Sequence, residues 1–254
     1  MFDLIAKLLP APPPKLVSVP AVVVTATTFT TAPTPVLHPV VVSAVPDDCL
    51  TFIEDEEDGS PAFYVKHYEH FDWPQGASGP TIGVGYDCGY VTRAEASADW
   101  AGILPPEAIA VILEAVGRRG QAAGAWVSAN RNRITVNWDA AVKEFTTREV
   151  PKWLARCRAV LPNFDLLPGE CQGALLSLSY NRGTGGYDDP GARDAEMRAI
   201  KRAMLEKDYS KIPADILGMQ RLWPKGGDLW RRRAHEAAMF EKGLEAAKVA
   251  AAPG

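Results

Sequence analysis

The chain has 254 residues, 47% hydrophobic and 23% charged, with a formal net charge of −4. That is enough for one sizeable domain or two small ones with a core of normal size, and the slightly acidic balance gives no global attraction to nucleic acid, an anionic membrane or an anionic cell wall. No run approaches the roughly 18 uninterrupted apolar residues of a membrane-spanning helix, so no span is expected.

Residues 1–47 differ from the rest. Prolines at 10, 12–14, 20, 33, 35, 39 and 46 interrupt a mixture of Val, Thr and Ala that holds no acidic residue between Asp3 and Asp47. An extended, disordered tether is expected here. Pro10 and Pro12–Pro14 also make the segment a poor secretory signal, because they break the helix an export signal needs.

The folded domain is expected over 48–243. Asp47 or Asp48 can cap a short helix through Cys49–Ile53, ending near Glu57-Asp58-Gly59. Gly59-Ser60-Pro61 reads as a turn and Ala62–Val65 as a short strand or helix start. Trp73–Pro80 is dense in turn formers, and Thr81–Val84 gives a β-branched strand in a hairpin-like run to Asp87. Thr92-Arg93-Ala94-Glu95 fits a capping box, so a helix should run from there to about Trp100.

The remainder reads as mostly helical. Pro105-Pro106-Glu107 opens a helix with Ile109, Ile112, Leu113 and Val116 on one face. Val150, Trp153, Leu154 and Cys157 share a face over about 139–159, with a bend or restart at Pro151. Further helices are expected at Gly169–Tyr180, Arg193–Lys207, Ile212–Leu222 and Asp228 to about Gly243, followed by a frayed Ala-rich tail over 244–254. A small β element in a helical chain gives an α+β class.

Cys49, Cys88, Cys157 and Cys171 form no Cys-x-x-Cys pair and have no histidine at ligand spacing, so no zinc site is expected. Buried or free thiols are the simplest reading, with a Cys49–Cys88 disulfide left open. The chemistry-bearing feature is a pair of acidic regions, Glu54–Asp58 and Asp87, separated by a segment long enough to fold back. That arrangement can set two carboxyl groups on opposite walls of one cleft, as acid/base cleavage of a glycosidic bond requires.

Glu57 and Gly59, the run Thr81-Ile82-Gly83-x-Gly85-x-Asp87, the helix end Ala174–Gly183, and Leu229-Trp230-Arg231-Arg232-Arg233-Ala234-x-Glu236 together resemble the phage-type lysozymes of glycoside hydrolase family 24. The Ser78–Asp87 stretch is most similar to the pesticin-like muramidases, in which an aspartate follows the Thr-Ile-Gly-x-Gly run. The resemblance covers roughly 50–243. It implies a lysozyme-like fold, with a mostly helical lobe, a small β-containing lobe and a cleft between them. It also implies hydrolysis of the β-1,4 bond between N-acetylmuramic acid and N-acetylglucosamine in peptidoglycan.

By the same resemblance Glu57 is the general acid (Glu56 if the register is one residue off), Asp87 the second carboxylate, and Thr81 the hydroxyl that helps hold a water. Asn181, Tyr86 and Arg231 are the expected substrate-binding residues, although Asn181 also reads as a helix terminus ahead of Gly183. Of Arg231, Arg232 and Arg233, two are expected at the surface and one paired with a carboxylate. Whether Asp87 serves as base or nucleophile depends on the carboxyl separation, roughly 6.5–9.5 Å for inversion and 5–5.5 Å for retention.

Glu54, Asp55, Glu56 and Asp58 supply like charge that would raise the pKa of an acid at 57. Cys88 stands where the family has an aliphatic residue; it either packs as a small hydrophobe or sensitises the protein to oxidation. The implied protein is a monomer without metal or organic cofactor, made in the cytoplasm and acting on the cell wall in the periplasm or outside. The rival readings are a wall-binding module that keeps the fold without activity, and a lytic transglycosylase.

Overall fold

The structure, a computed structural model, describes residues 45–58 and 60–251, without the side chains at 55, 57, 58 and 251. The expected tether up to residue 44 and the last residues of the tail lie outside these residues, while Val45, expected in the tether, is buried in the core and Asp47 already opens the first helix. The element order is α1 (Asp47–Asp58), α2 (Pro61–His67), β1 (Thr81–Ile82), β2 (Tyr86–Asp87), α3 (Arg93–Trp100), α4 (Pro106–Ala115), α5 (Gln121–Asn130), α6 (Trp138–Glu144), α7 (Val150–Val160), α8 (Gly169–Arg182), α9 (Ala195–Glu206), α10 (Ile212–Gly218) and α11 (Asp228–Ala251). Among the described residues the chain is mostly helical with one two-stranded antiparallel sheet, an α+β arrangement. No helix among the described residues is long and apolar enough to cross a membrane.

Side chains that take up orphan backbone N–H groups set several helix starts. Ser60 caps α2 by accepting from Phe63 N, with Pro61 in the first turn, so Ala62–Val65 is helix rather than strand. The Thr92 hydroxyl accepts from Glu95 N at 3.2 Å while the Glu95 carboxylate accepts from Thr92 N at 2.7 Å, closing the capping box of α3. Thr92→Ala should cost about 1 kcal/mol, read as a lower urea midpoint with an unchanged denaturant slope. An unchanged midpoint would show that the cap contributes nothing to α3.

Helix α8 lies at the centre. Every residue from Cys171 to Ser179 is buried, as expected of a helix covered on all sides, and α1, α7 and α11 pack against it. Expectation and structure part at three helices. On α4 the buried face is Ala108, Val111, Ile112 and Ala115, leaving Ile109, Leu113 and Val116 only partly covered. α11 does not end near Gly243 but stays helical through the alanine-rich stretch to Ala251. The expected bend near Pro151 takes the form of a π-helical turn, Phe145–Glu149, set between α6 and α7.

Pro151 explains that turn. Its ring would collide with the carbonyl four residues earlier, and it brings no N–H to the ladder. The chain widens instead: Val150 N donates to Phe145 O, five residues back. The Thr146 and Thr147 hydroxyls donate to the carbonyls of Val142 and Lys143 at 2.8 and 2.6 Å, adding donors where the backbone pattern changes.

The four cysteines are free and buried, so Cys49 and Cys88 form no disulfide. Burial pushes the Cys49 and Cys171 thiols up to about 12 and Cys157 up to about 11. Cys88 is raised further for the same reason, with Asp87 adding to it. Thiols in this state pack as small hydrophobes and make poor nucleophiles, which of the two readings of Cys88 favours packing over oxidation sensitivity.

Candidate functional site

The two strands pair Thr81 with Asp87 and Ile82 with Tyr86. Alternation therefore sends Ile82 and Tyr86 into the core and leaves Thr81 and Asp87 side by side on the half-buried face. Directly opposed residues of an antiparallel pair hold their Cβ atoms about 4.5–5.5 Å apart. Gly83 and Gly85 turn the hairpin at φ 63° and 69°, a region that side chains with a Cβ rarely enter. The Val84 carbonyl between them accepts from Tyr180 Oη at 2.7 Å, which ties the hairpin tip to α8.

Asp87 is held from behind. Its Oδ1 accepts from Gly79 N at 3.0 Å and from Gly89 N at 2.8 Å. A Cβ on Gly79 would lie 2.3 Å from Gly89 N and 2.4 Å from Asp87 Oδ1, so only glycine lets the two backbone segments close around the carboxylate. Gly79→Ala is therefore expected to push the 79 and 89 segments apart and release Asp87, seen as lost protection of the Gly89 amide in hydrogen exchange. Retained protection would mean the segments tolerate the methyl group. Thr81 Oγ1 donates to Gly79 O at 3.3 Å, leaving its lone pairs to accept. A further antiparallel bridge, Asp72 to Thr81, braces the hairpin, and Arg131 Nη1 reaches Asp72 Oδ1 at 3.1 Å.

On α1, Cys49, Ile53 and Glu54 are buried, and Glu56 lies 3.3 Å from His235 Nδ1 of α11. At 100° per residue, position 57 of the helix follows one turn after Ile53. The Glu57 side chain itself lies outside the described residues.

Facing this part of α1, α8 and α11 share a buried ionic network. Glu236 Oε1 accepts from Ser177 Oγ at 2.7 Å, from Arg233 Nη2 at 2.9 Å and from Arg232 Nε at 3.3 Å. Arg233 Nη2 also donates to Asn181 Oδ1 at 3.2 Å. The Arg182 and Arg233 guanidinium carbons lie 5.7 and 5.5 Å from the Trp223 ring centre, and Arg182 pairs with Asp194. Burial works against Arg233's charge and Glu236 supports it.

Two expected contacts are corrected. Tyr86 is 2% exposed, edge-on to Trp100, and donates to Asp99 Oδ2 at 2.8 Å, so it supports the hairpin from the core and presents nothing to a substrate. Of the three arginines only Arg231 is at the surface, paired with Asp228; Arg232 and Arg233 are both buried. Asn181 sits in the last turn of α8 ahead of Gly183, half-buried and oriented by Arg233. The pair of glycines that closes around Asp87, Gly79 and Gly89, is a readable sequence sign of close backbone approach to a lone aspartate.

A surface depression lined by Ala199, Arg202, Glu206, Lys211 and Asp215 contains none of these residues. Neither a protein family nor a curated protein was found to match this chain.

Proposed function

We propose that the chain is a muramidase of lysozyme-like fold that hydrolyses the β-1,4 bond between N-acetylmuramic acid and N-acetylglucosamine of peptidoglycan, acting as a monomer in the periplasm or outside the cell. The supporting observation is the hairpin: Thr81 and Asp87 stand side by side on its one face not given to the core, with Asp87 fixed by two backbone N–H groups.

In this reading Glu57 donates a proton to the leaving glycosidic oxygen. A water donates one hydrogen bond to Thr81 Oγ1, whose own proton is committed to Gly79 O, and a second to Asp87, which takes its proton as the sugar is attacked. If Asp87 instead attacks the sugar directly, the product keeps its anomeric configuration, and NMR of the fresh product distinguishes the two.

The test is release of reducing ends from purified sacculi by wild type, Glu57→Gln and Glu56→Gln. Wild type should cut, and the Glu57 variant should fall by about 10²–10⁴-fold, with Glu56→Gln close to wild type. Sacculi bound but uncut by wild type would identify a wall-binding module instead. 1,6-Anhydro products by mass spectrometry would identify a lytic transglycosylase.

A further inference from the structure

Glu144 and Glu149 are five residues apart, a spacing that sets side chains about 140° apart on an α-helix. The π turn between them changes this and brings both carboxylates to Asp99 of α3. One oxygen from each of Asp99, Glu144 and Glu149 lies within 4.8 Å of the other two. Asp99 and Glu149 share the Lys152 ammonium, at 2.6 and 2.8 Å. Asp99 also accepts from Tyr86 Oη, and Glu149 from Trp153 Nε1 at 3.2 Å.

Glu144 is different. It is 0% exposed, and neither of its carboxylate oxygens has a hydrogen-bond partner among the described residues. A buried carboxyl with no partner is costly, and an ion is one of the few things that accounts for one.

We propose that Asp99, Glu144 and Glu149 bind a hard divalent cation of calcium's size. Carboxylate oxygens are the ligands such ions take, and three oxygens within 4.8 Å fit a sphere of radius about 2.3–2.6 Å. Three carboxylates outnumber the one Lys152 ammonium beside them, so the cluster is net negative and attracts a dication whether or not Lys152 stays. The Lys152 side chain is 33% exposed, and its flexible stem can carry the ammonium to solvent. The ion would tie α3 to the α6–α7 unit and, through the Asp99–Tyr86 hydrogen bond, brace the strand that carries Asp87.

The experiment is calorimetric titration of the chelator-stripped full chain with CaCl2, with thermal unfolding alongside and NaCl at matched ionic strength as control. One ion per chain should bind, and saturating Ca2+ should raise the unfolding midpoint by several degrees. Glu144→Gln, nearly the same shape, should weaken binding at least tenfold, and Lys152→Gln, which removes the competing ammonium, should tighten it. No saturable binding by wild type overturns the proposal. So does Ca2+ affinity unchanged in Glu144→Gln, or unchanged or weaker in Lys152→Gln.

Discussion

Glu236→Ala is expected to lower folding stability by about 3–5 kcal/mol, the usual loss when one partner of a buried ion pair is removed. Glu236 is the acidic partner of Arg233 among the described residues, and both are fully buried. Its removal leaves the Arg233 guanidinium in the core against Arg182 and Arg232, with the weaker pull of Glu56 to set against the desolvation. Ser177 Oγ loses its acceptor at the same time, a further penalty for a buried donor. Glu236→Gln restores an acceptor for Ser177 but no charge, so it should recover only the smaller part of the loss. Arg231→Ala, which breaks only exposed contacts, a pair with Asp228 and a hydrogen bond to Gly226 O, should stay within about 0.5 kcal/mol of wild type. Urea midpoints measure all three. If Glu236→Ala costs less than about 1 kcal/mol, water reaches the network and it is an ordinary surface pair.

This network also shows how far a sequence can be read. The helices and most starts are local: Thr92 and Glu95 stand three apart, and the capping box follows. The hairpin is local too, because Thr81 and Asp87 frame a glycine-bounded turn. Tyr86 and the buried arginines also follow a periodicity present in the sequence. Ile82, Val84 and Tyr86 alternate on one side of the hairpin, so Tyr86 belongs with the core residues. Arg232 and Arg233 lie four and three positions before Glu236, the spacings that face one another on a helix, and Arg231 does not. The Asp99–Glu144–Glu149 cluster was beyond such reading. It joins distant segments, and its close pair depends on a π turn that breaks the period on which the reading rests.

The catalytic duty proposed for Asp87 and its structural duty at the turn can be separated by two substitutions. Asparagine keeps a side-chain carbonyl that accepts from Gly79 N and Gly89 N, so the turn should hold and stability should stay within about 1 kcal/mol of wild type. What it lacks is a group that can take a proton or attack a sugar, so release of reducing ends should fall by about 10²–10⁴-fold. Alanine removes the acceptor as well and leaves two backbone donors unpaired, which should cost about 1–3 kcal/mol beyond asparagine. Thr81→Val keeps the β-branched shape that suits the strand and deletes only the hydroxyl, so it should lower turnover without moving the urea midpoint by more than about 1 kcal/mol. If Asp87→Asn cuts sacculi as fast as wild type while Asp87→Ala unfolds early, the carboxylate exists to close the turn at Gly79 and Gly89. The hairpin would then be a brace for some other site. If Asp87→Asn and Thr81→Val both fold normally and both lose turnover, the pairing of these two residues on the open face of the hairpin is catalytic.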